Sequence, residues 1–157
     1  MRKRITQEGI EKPSAADGNW LDVENLALAE VSSEDPEHPI ESAVIPNTGP
    51  GWRAARPGKQ TIRLLFDEPQ DIRKIRMVFE QNEHECTQEF VLRWSADNGG
   101  SYREIARQQY NFSPHGATRE IEDYAVDLKG LTTLELMINP DISGGSARAS
   151  IRELRLA

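Results

Sequence analysis

Alternation with a period of two is the feature of this chain that most limits its folds. Ile62, Leu64 and Phe66, then Ile75, Met77 and Phe79, then Phe90, Leu92 and Trp94 set a large apolar side chain at every second position. Successive side chains of an extended chain point to opposite faces, so each run predicts a strand with one face on a core and one in water. Arg63, Arg76 and Arg93 fall between them and are expected on the wet faces. Tyr124, Val126 and Leu128, and then Leu134, Leu136 and Ile138, repeat the pattern, which makes five clear strands. Residues 23–31 and 102–110 add two weaker ones. Residues 149–156 form the last, in which Ile151 is out of phase with Leu154 and Leu156, so a β-bulge is expected near Arg152. About eight strands follow, with few helix signals. The connections agree: Asp97-Asn98-Gly99-Gly100 is a tight-turn sequence that tolerates positive φ, Lys129-Gly130 punctuates another pair, and Pro69 closes a strand because it cannot donate to a ladder. The chain is expected to be all-β, an antiparallel sandwich or barrel.

A length of 157 residues suits one domain with its own core. Residues 1–20 carry Gly9, Pro13, Gly18 and mixed charges without an apolar period and are expected to be a flexible N-terminal arm, with the domain at residues 21–157. A net charge of −7 opposes a phosphate polymer, so nucleic acid is an unfavoured partner. The longest apolar runs, such as Leu64-Leu65-Phe66, are too short to span a bilayer, and no membrane partner is expected. Met1-Arg2-Lys3-Arg4 is followed by polar residues instead of an apolar stretch, and Cys86 is the lone cysteine, so a cytoplasmic location is expected.

Three segments taken together resemble the galactose-binding-like superfamily, in particular discoidin or coagulation-factor type C modules and related carbohydrate-binding modules. They are Ile62-Arg63-Leu64-Leu65-Phe66-Asp67 with Ile72 and Ile75, Phe90-Val91-Leu92-Arg93-Trp94-Ser95-Ala96-Asp97 with Tyr102 and Ile105, and the closing Ile151-Arg152-Glu153-Leu154. The resemblance covers roughly residues 40–157. It implies a jelly-roll β-sandwich of about eight mainly antiparallel strands that binds a ligand through loops gathered at one end. It does not select the ligand. Many such modules carry Asp-Gly in a structural calcium site where this chain has Ile45-Pro46-Asn47-Thr48; Glu153, in a position where the family often places a carboxylate ligand, with Asp35 and Glu41 would be the oxygen donors if calcium binds. No other cofactor is implied.

Candidate ligand contacts lie in loops 46–56, 80–88, 110–118 and 139–148. Trp52 is the type of residue that stacks on a pyranose, although the family often buries a tryptophan there. Asn82, Glu83 and His84 offer paired donors and acceptors for hydroxyls. Tyr110, Asn111 and His115 share a loop rich in aromatic and amide groups, with a core staple as the competing role of Tyr110. Asp141 and Arg148 flank a Gly pair before the last strand. Trp94, in phase with Phe90 and Leu92, is expected in the core.

No Gly-x-Ser-x-Gly elbow is present, and His38, His84 and His115 lack metal-binding spacing, so no catalysis is expected. The expected function is a noncatalytic module that recognises a carbohydrate or similar polar small ligand. The alternative is a protein-interaction or structural module on the same fold.

Overall fold

The computed structural model describes residues 20–157; of the expected arm, residues 1–19 lie outside them. The elements are α1 (Val23–Leu26), β1 (Ala27–Val31), α2 (Glu41–Val44), β2 (Trp52–Pro57), β3 (Gln60–Glu80), β4 (Cys86–Ser95), β5 (Arg103–Phe112), β6 (Arg119–Asn139), β7 (Arg148–Ile151) and β8 (Glu153–Leu156).

β3 and β6, each 21 residues long, pair antiparallel from Gln60 with Ile138 to Glu80 with Arg119. Each contains two of the runs predicted as separate strands. Their register shifts between Leu65 and Lys74, the stretch that holds Pro69 and faces Gly130 at φ 69°. The first half of β3 is flanked by β1, and the second half of β6 by β4, which pairs in turn with β5. This gives the layer β1-β3-β6-β4-β5, while the second half of β3 pairs with β8 through Ile75–Val78. Beyond the bend the two long strands fold over the first layer. Phe79 of β3 stacks on Phe90 of β4 with ring centroids 5.2 Å apart, although those strands are not hydrogen-bonded neighbours. Ile62, Leu64, Ile75, Met77, Phe79, Phe90, Leu92, Leu134, Leu136 and Ile138 form one buried core, and the alternating arginines face out. The described residues form an all-β jelly-roll sandwich with eight strands, and every ladder between those strands is antiparallel.

Three expectations are corrected, one by a local turn of helix and two by long-range pairing. Within residues 23–31 only Ala27–Val31 is a strand; before it the Leu26 N–H turns back to the Asp22 carbonyl at 3.1 Å and the short helix α1 buries Val23. Arg152 is a change of partner and not a bulge within one strand: β7 pairs with β2, β8 pairs with β3, and the Arg152 N–H between them donates to the Val78 carbonyl at 2.7 Å. Ile151, Leu154 and Leu156 are therefore all buried despite their mismatched phase. β2 is an additional strand. It and β7 form a separate two-stranded sheet that reaches the loop after β3.

Gly51 fixes that sheet to the core. It lies at φ 103°, a conformation glycine adopts freely, and a β-carbon there would lie 2.6 Å from both the Ile151 carbonyl oxygen and the Arg152 α-carbon. Its N–H donates to Ser42 Oγ at 2.9 Å.

Candidate functional site

A cleft of about 390 Å³ opens where the end of β3 meets the β2–β7 sheet, lined by Arg53, Glu80, Gln81, Asn82, Glu83, His84, Ser146, Arg148 and Ser150. Arg53 enters from β2, Glu80 from β3, Arg148 and Ser150 from β7, and the rest from the connections. Pairing of Arg53 with Ser150 sets two walls side by side. The loop after β3 is shaped by Gln81, whose Oε1 accepts the N–H groups of Glu83 (2.9 Å) and His84 (3.1 Å) while its own N–H donates to the Thr118 carbonyl at 2.9 Å. Asn82 and Glu83 are thereby held in a turn and not left to a loose hairpin. A smaller cleft shares Arg53, Glu80, Asn82 and Ser150 and extends to His38, Pro50, Trp52 and Arg152.

The charged groups of the cleft differ in how they are engaged. Glu80 lies 3.4 Å from Arg152 Nη1 and 4.0 Å from Arg119 Nε. Arg53 and Arg148 approach carboxylates only at 3.8 Å, those of Glu83 and Asp35, and neither guanidinium makes a hydrogen bond with a described residue. Both side chains are partly exposed. Their N–H forks remain available to a ligand, and a fork of this kind matches a carboxylate by two parallel hydrogen bonds.

Of the sequence-predicted contacts, Asn82, Glu83, His84 and Arg148 come together in this cleft. The others do not. Trp52 edges the smaller cleft but is 1% exposed, and its indole N–H donates to the Ser33 carbonyl at 3.1 Å, so it is a core residue with no face for a sugar. Tyr110 belongs to an aromatic cluster with Phe79, Phe90 and Phe112; burial and then Glu122 push its hydroxyl well above the ordinary tyrosine range. Asn111 accepts from Thr87 Oγ1 at 2.7 Å across the β4–β5 ladder, and His115 stands exposed in its own turn. Asp141 caps its loop by accepting from Ser143 Oγ (2.7 Å) and N–H (3.1 Å), with Ser143 the main cause of its lowered pKa.

The three oxygen donors named for calcium are not gathered into one site. Asp35 accepts the Glu37 N–H at 3.0 Å, which lowers its pKa most, and is also flanked by His38 and Arg148. Glu153 faces Arg155 at 3.9 Å on β8, and Glu41 is exposed at the start of α2. No group of three or more His, Cys, Asp or Glu side chains among the described residues has the geometry to hold a metal ion. These residues do not fit a calcium cage.

Arg53, Glu80, Gln81, Ser146 and Ser150 were not singled out from the sequence, although all but Ser150 lie in the candidate loops. Their convergence depends on the β2–β7 pairing, and the available signal was the buried alternation of Trp52 and Ala54 around Arg53. No aromatic side chain of Trp, Tyr or Phe lines the larger cleft, so its chemistry is that of hydrogen bonds and charge.

No protein-family model matches the sequence, and no curated protein matches it significantly. Solved structures do match. A pectin-binding carbohydrate-binding module is 18% identical with a TM-score of 0.59, over 83% of this chain and 89% of its own. A Ruminococcus gnavus GH29 fucosidase mutant in complex with fucose is 9% identical with a TM-score of 0.60; 84% of this chain is covered, but only 25% of the fucosidase. A family 32 module from Clostridium perfringens in complex with GalNAc-β-1,3-galactose is 20% identical with a TM-score of 0.57, over 83% of this chain and 94% of its own. The fold is thus the one these solved modules share, a jelly-roll β-sandwich of the kind that the resemblance of the strand segments implied.

Proposed function

We propose that this domain is a noncatalytic carbohydrate-binding module whose cleft between the end of β3 and the β2–β7 sheet takes a carboxylated sugar, a uronate, in preference to a neutral one. The observation that carries this is the presence of two guanidinium groups, Arg53 and Arg148, in one polar cleft with no hydrogen bond from either to a described residue. Asn82, Ser146 and Ser150 add neutral groups suited to hydroxyls. Without an aromatic platform, the attraction must come from charge-assisted hydrogen bonds, which a neutral hexose cannot make as strongly. The similar pectin-binding module supports the same chemistry, since pectin is a polymer rich in uronate.

Calorimetric titration with oligogalacturonate and with galactose tests the reading. Oligogalacturonate is expected to bind at least about tenfold more tightly, with the advantage lost in an Arg53→Ala/Arg148→Ala variant, since a charged hydrogen bond contributes about 1.5–3 kcal/mol. Equal affinity for both sugars, or full binding by the double variant, would sink the uronate assignment.

A further inference from the structure

A second cleft, of about 420 Å³, lies at the other end of β4 and is lined by Trp94, Ala96, Asp97, Ser101, Arg103, Asp127 and Lys129. β4 starts at Cys86, just after the loop of the first cleft, and ends at Ser95 beside this one. Its ten residues, at about 3.3 Å each, separate the two clefts by roughly 30 Å. They are independent sites.

Trp94 does not behave as the core residue its phase predicts. Phe90 and Leu92, which precede it on the same face, are fully buried, whereas Trp94 is only partly covered at the edge of the core. Its indole N–H has no hydrogen-bond partner among the described residues and is not sealed from solvent. Trp52 is the contrast, with its N–H bonded and its ring enclosed. Arg103, opposite Trp94 in the β4–β5 ladder, is exposed and has no ion pair or hydrogen bond with a described residue. From the bend of β6, Lys129 and Asp127 add a donor and an acceptor, held only by exposed contacts of 3.5 Å to each other and 3.8 Å from Asp127 to Arg73. The wall on the β4–β5 side is rigid: Asp97 accepts from Ser95 Oγ at 2.6 Å and from the N–H and Oγ of Ser101, each at 2.8 Å. An aromatic edge with a free N–H, next to the unpaired Arg103, an exposed Lys129–Asp127 pair and the carboxylate of Asp97 on a fixed turn, is an arrangement that can stack a pyranose and bracket its hydroxyls.

We propose that this cleft is a second saccharide site, which takes one pyranose against Trp94 with its hydroxyls held by Arg103, Asp127 and Lys129. The domain is then bivalent, with one charge-dominated site and one aromatic site near opposite ends of β4, so it can join two glycan chains and gain avidity on a dense one. The second site rests on its own residues and stands or falls apart from the first.

The test is an amide and indole NMR titration of the whole chain with galactose, N-acetylgalactosamine, galacturonate and oligogalacturonate. At least one of these is expected to shift the Trp94 indole and the amides of residues 96–103 saturably, and Arg53→Ala/Arg148→Ala is expected to leave those shifts intact. Arg103→Ala and Asp127→Ala alter exposed side chains, so the fold should persist while affinity at this end falls about tenfold. Trp94→Phe keeps most of the packing and should weaken binding less than Trp94→Ala. Shifts confined to Asn82–His84 and Arg148 would overturn the second site and leave the first standing. Shifts confined to the Trp94 end would do the reverse, and a folded protein with no shifts under any of the four sugars would remove both.

Discussion

Among single residues, Glu135 has the least common environment. It is 1% exposed although it lies on the outward face of its strand, because Arg63 of β3 and Arg93 of β4 pair with it from either side and close over it. Arg63 Nε donates at 2.7 Å, Arg93 Nε binds the other oxygen, and the Arg93 guanidinium rests 4.2 Å from the centre of the Tyr102 ring. Burial alone would raise the pKa of Glu135, but Arg93 and then Arg63 outweigh it and hold the carboxyl below its ordinary value. Glu135→Gln leaves Arg93 without an anion and Arg63 with only the half-exposed Glu30, and a loss of about 3 kcal/mol is expected in urea unfolding. Glu30→Gln removes a half-exposed partner 3.7 Å from the same Arg63 and should cost less than about 0.5 kcal/mol. A cost at Glu135 no larger than at Glu30 would refute the account. Gly51→Ala is a steric counterpart: the β-carbon would meet backbone at 2.6 Å in a left-handed conformation, and backbone cannot yield as a side-chain tip can. A loss of about 2–3 kcal/mol is expected by thermal or urea unfolding, with weakened binding at the cleft that β2 helps to build.

At the scale of elements, the turn of the β4–β5 hairpin depends on a titratable group. Hydrogen bonds from Ser95, then from the Ser101 N–H and hydroxyl, bring the Asp97 pKa from 3.8 down to about 2. A carboxyl whose folded pKa is depressed stabilises the fold fully above its unfolded value and loses that contribution as pH falls through the folded one. Asp97→Asn should therefore lower the melting temperature at pH 6, and the gap from wild type should close between pH 3.8 and about 2. A gap independent of pH would mean that shape, not charge, sets the turn. This hairpin was legible because its determinants are local: Asn98 at φ 59° and Gly99 at φ 87° sit in the Asp-Asn-Gly-Gly turn. The extent of β3 and β6 was less so, since Pro69 and Gly130 signalled strand ends but mark a bend through which both strands continue. β2 was hidden by its small residues: Ala54 is as buried as any leucine but adds little to a hydrophobic pattern.

For the whole molecule, the candidate site was half legible, and the division has a physical cause. Glu80, Asn82, Glu83 and His84 stand together because they are close neighbours in sequence, but Arg53 and Arg148 reach them only through pairings between distant strands. The charge pattern that results sets the last prediction. The chain carries −7 overall while the cleft beside the β2–β7 sheet presents two guanidinium groups, Arg53 and Arg148, that are not hydrogen-bonded to any described residue, so a polyuronate meets long-range repulsion and short-range attraction. Salt screens these unequally. The screening length falls from about 30 Å at 0.01 M to about 10 Å at 0.1 M and about 3 Å at 1 M. Repulsion across the width of the domain is removed first, whereas contacts of hydrogen-bond length persist until the highest ionic strengths. Affinity for polygalacturonate is accordingly expected to rise from 0.01 M to about 0.1 M salt and to fall toward 1 M, while affinity for galactose stays nearly flat. A monotonic fall from the lowest salt would show that the local field of the arginines governs approach as well as contact. A flat profile for both sugars would remove charge from the recognition altogether, and with it the role assigned to Arg53 and Arg148.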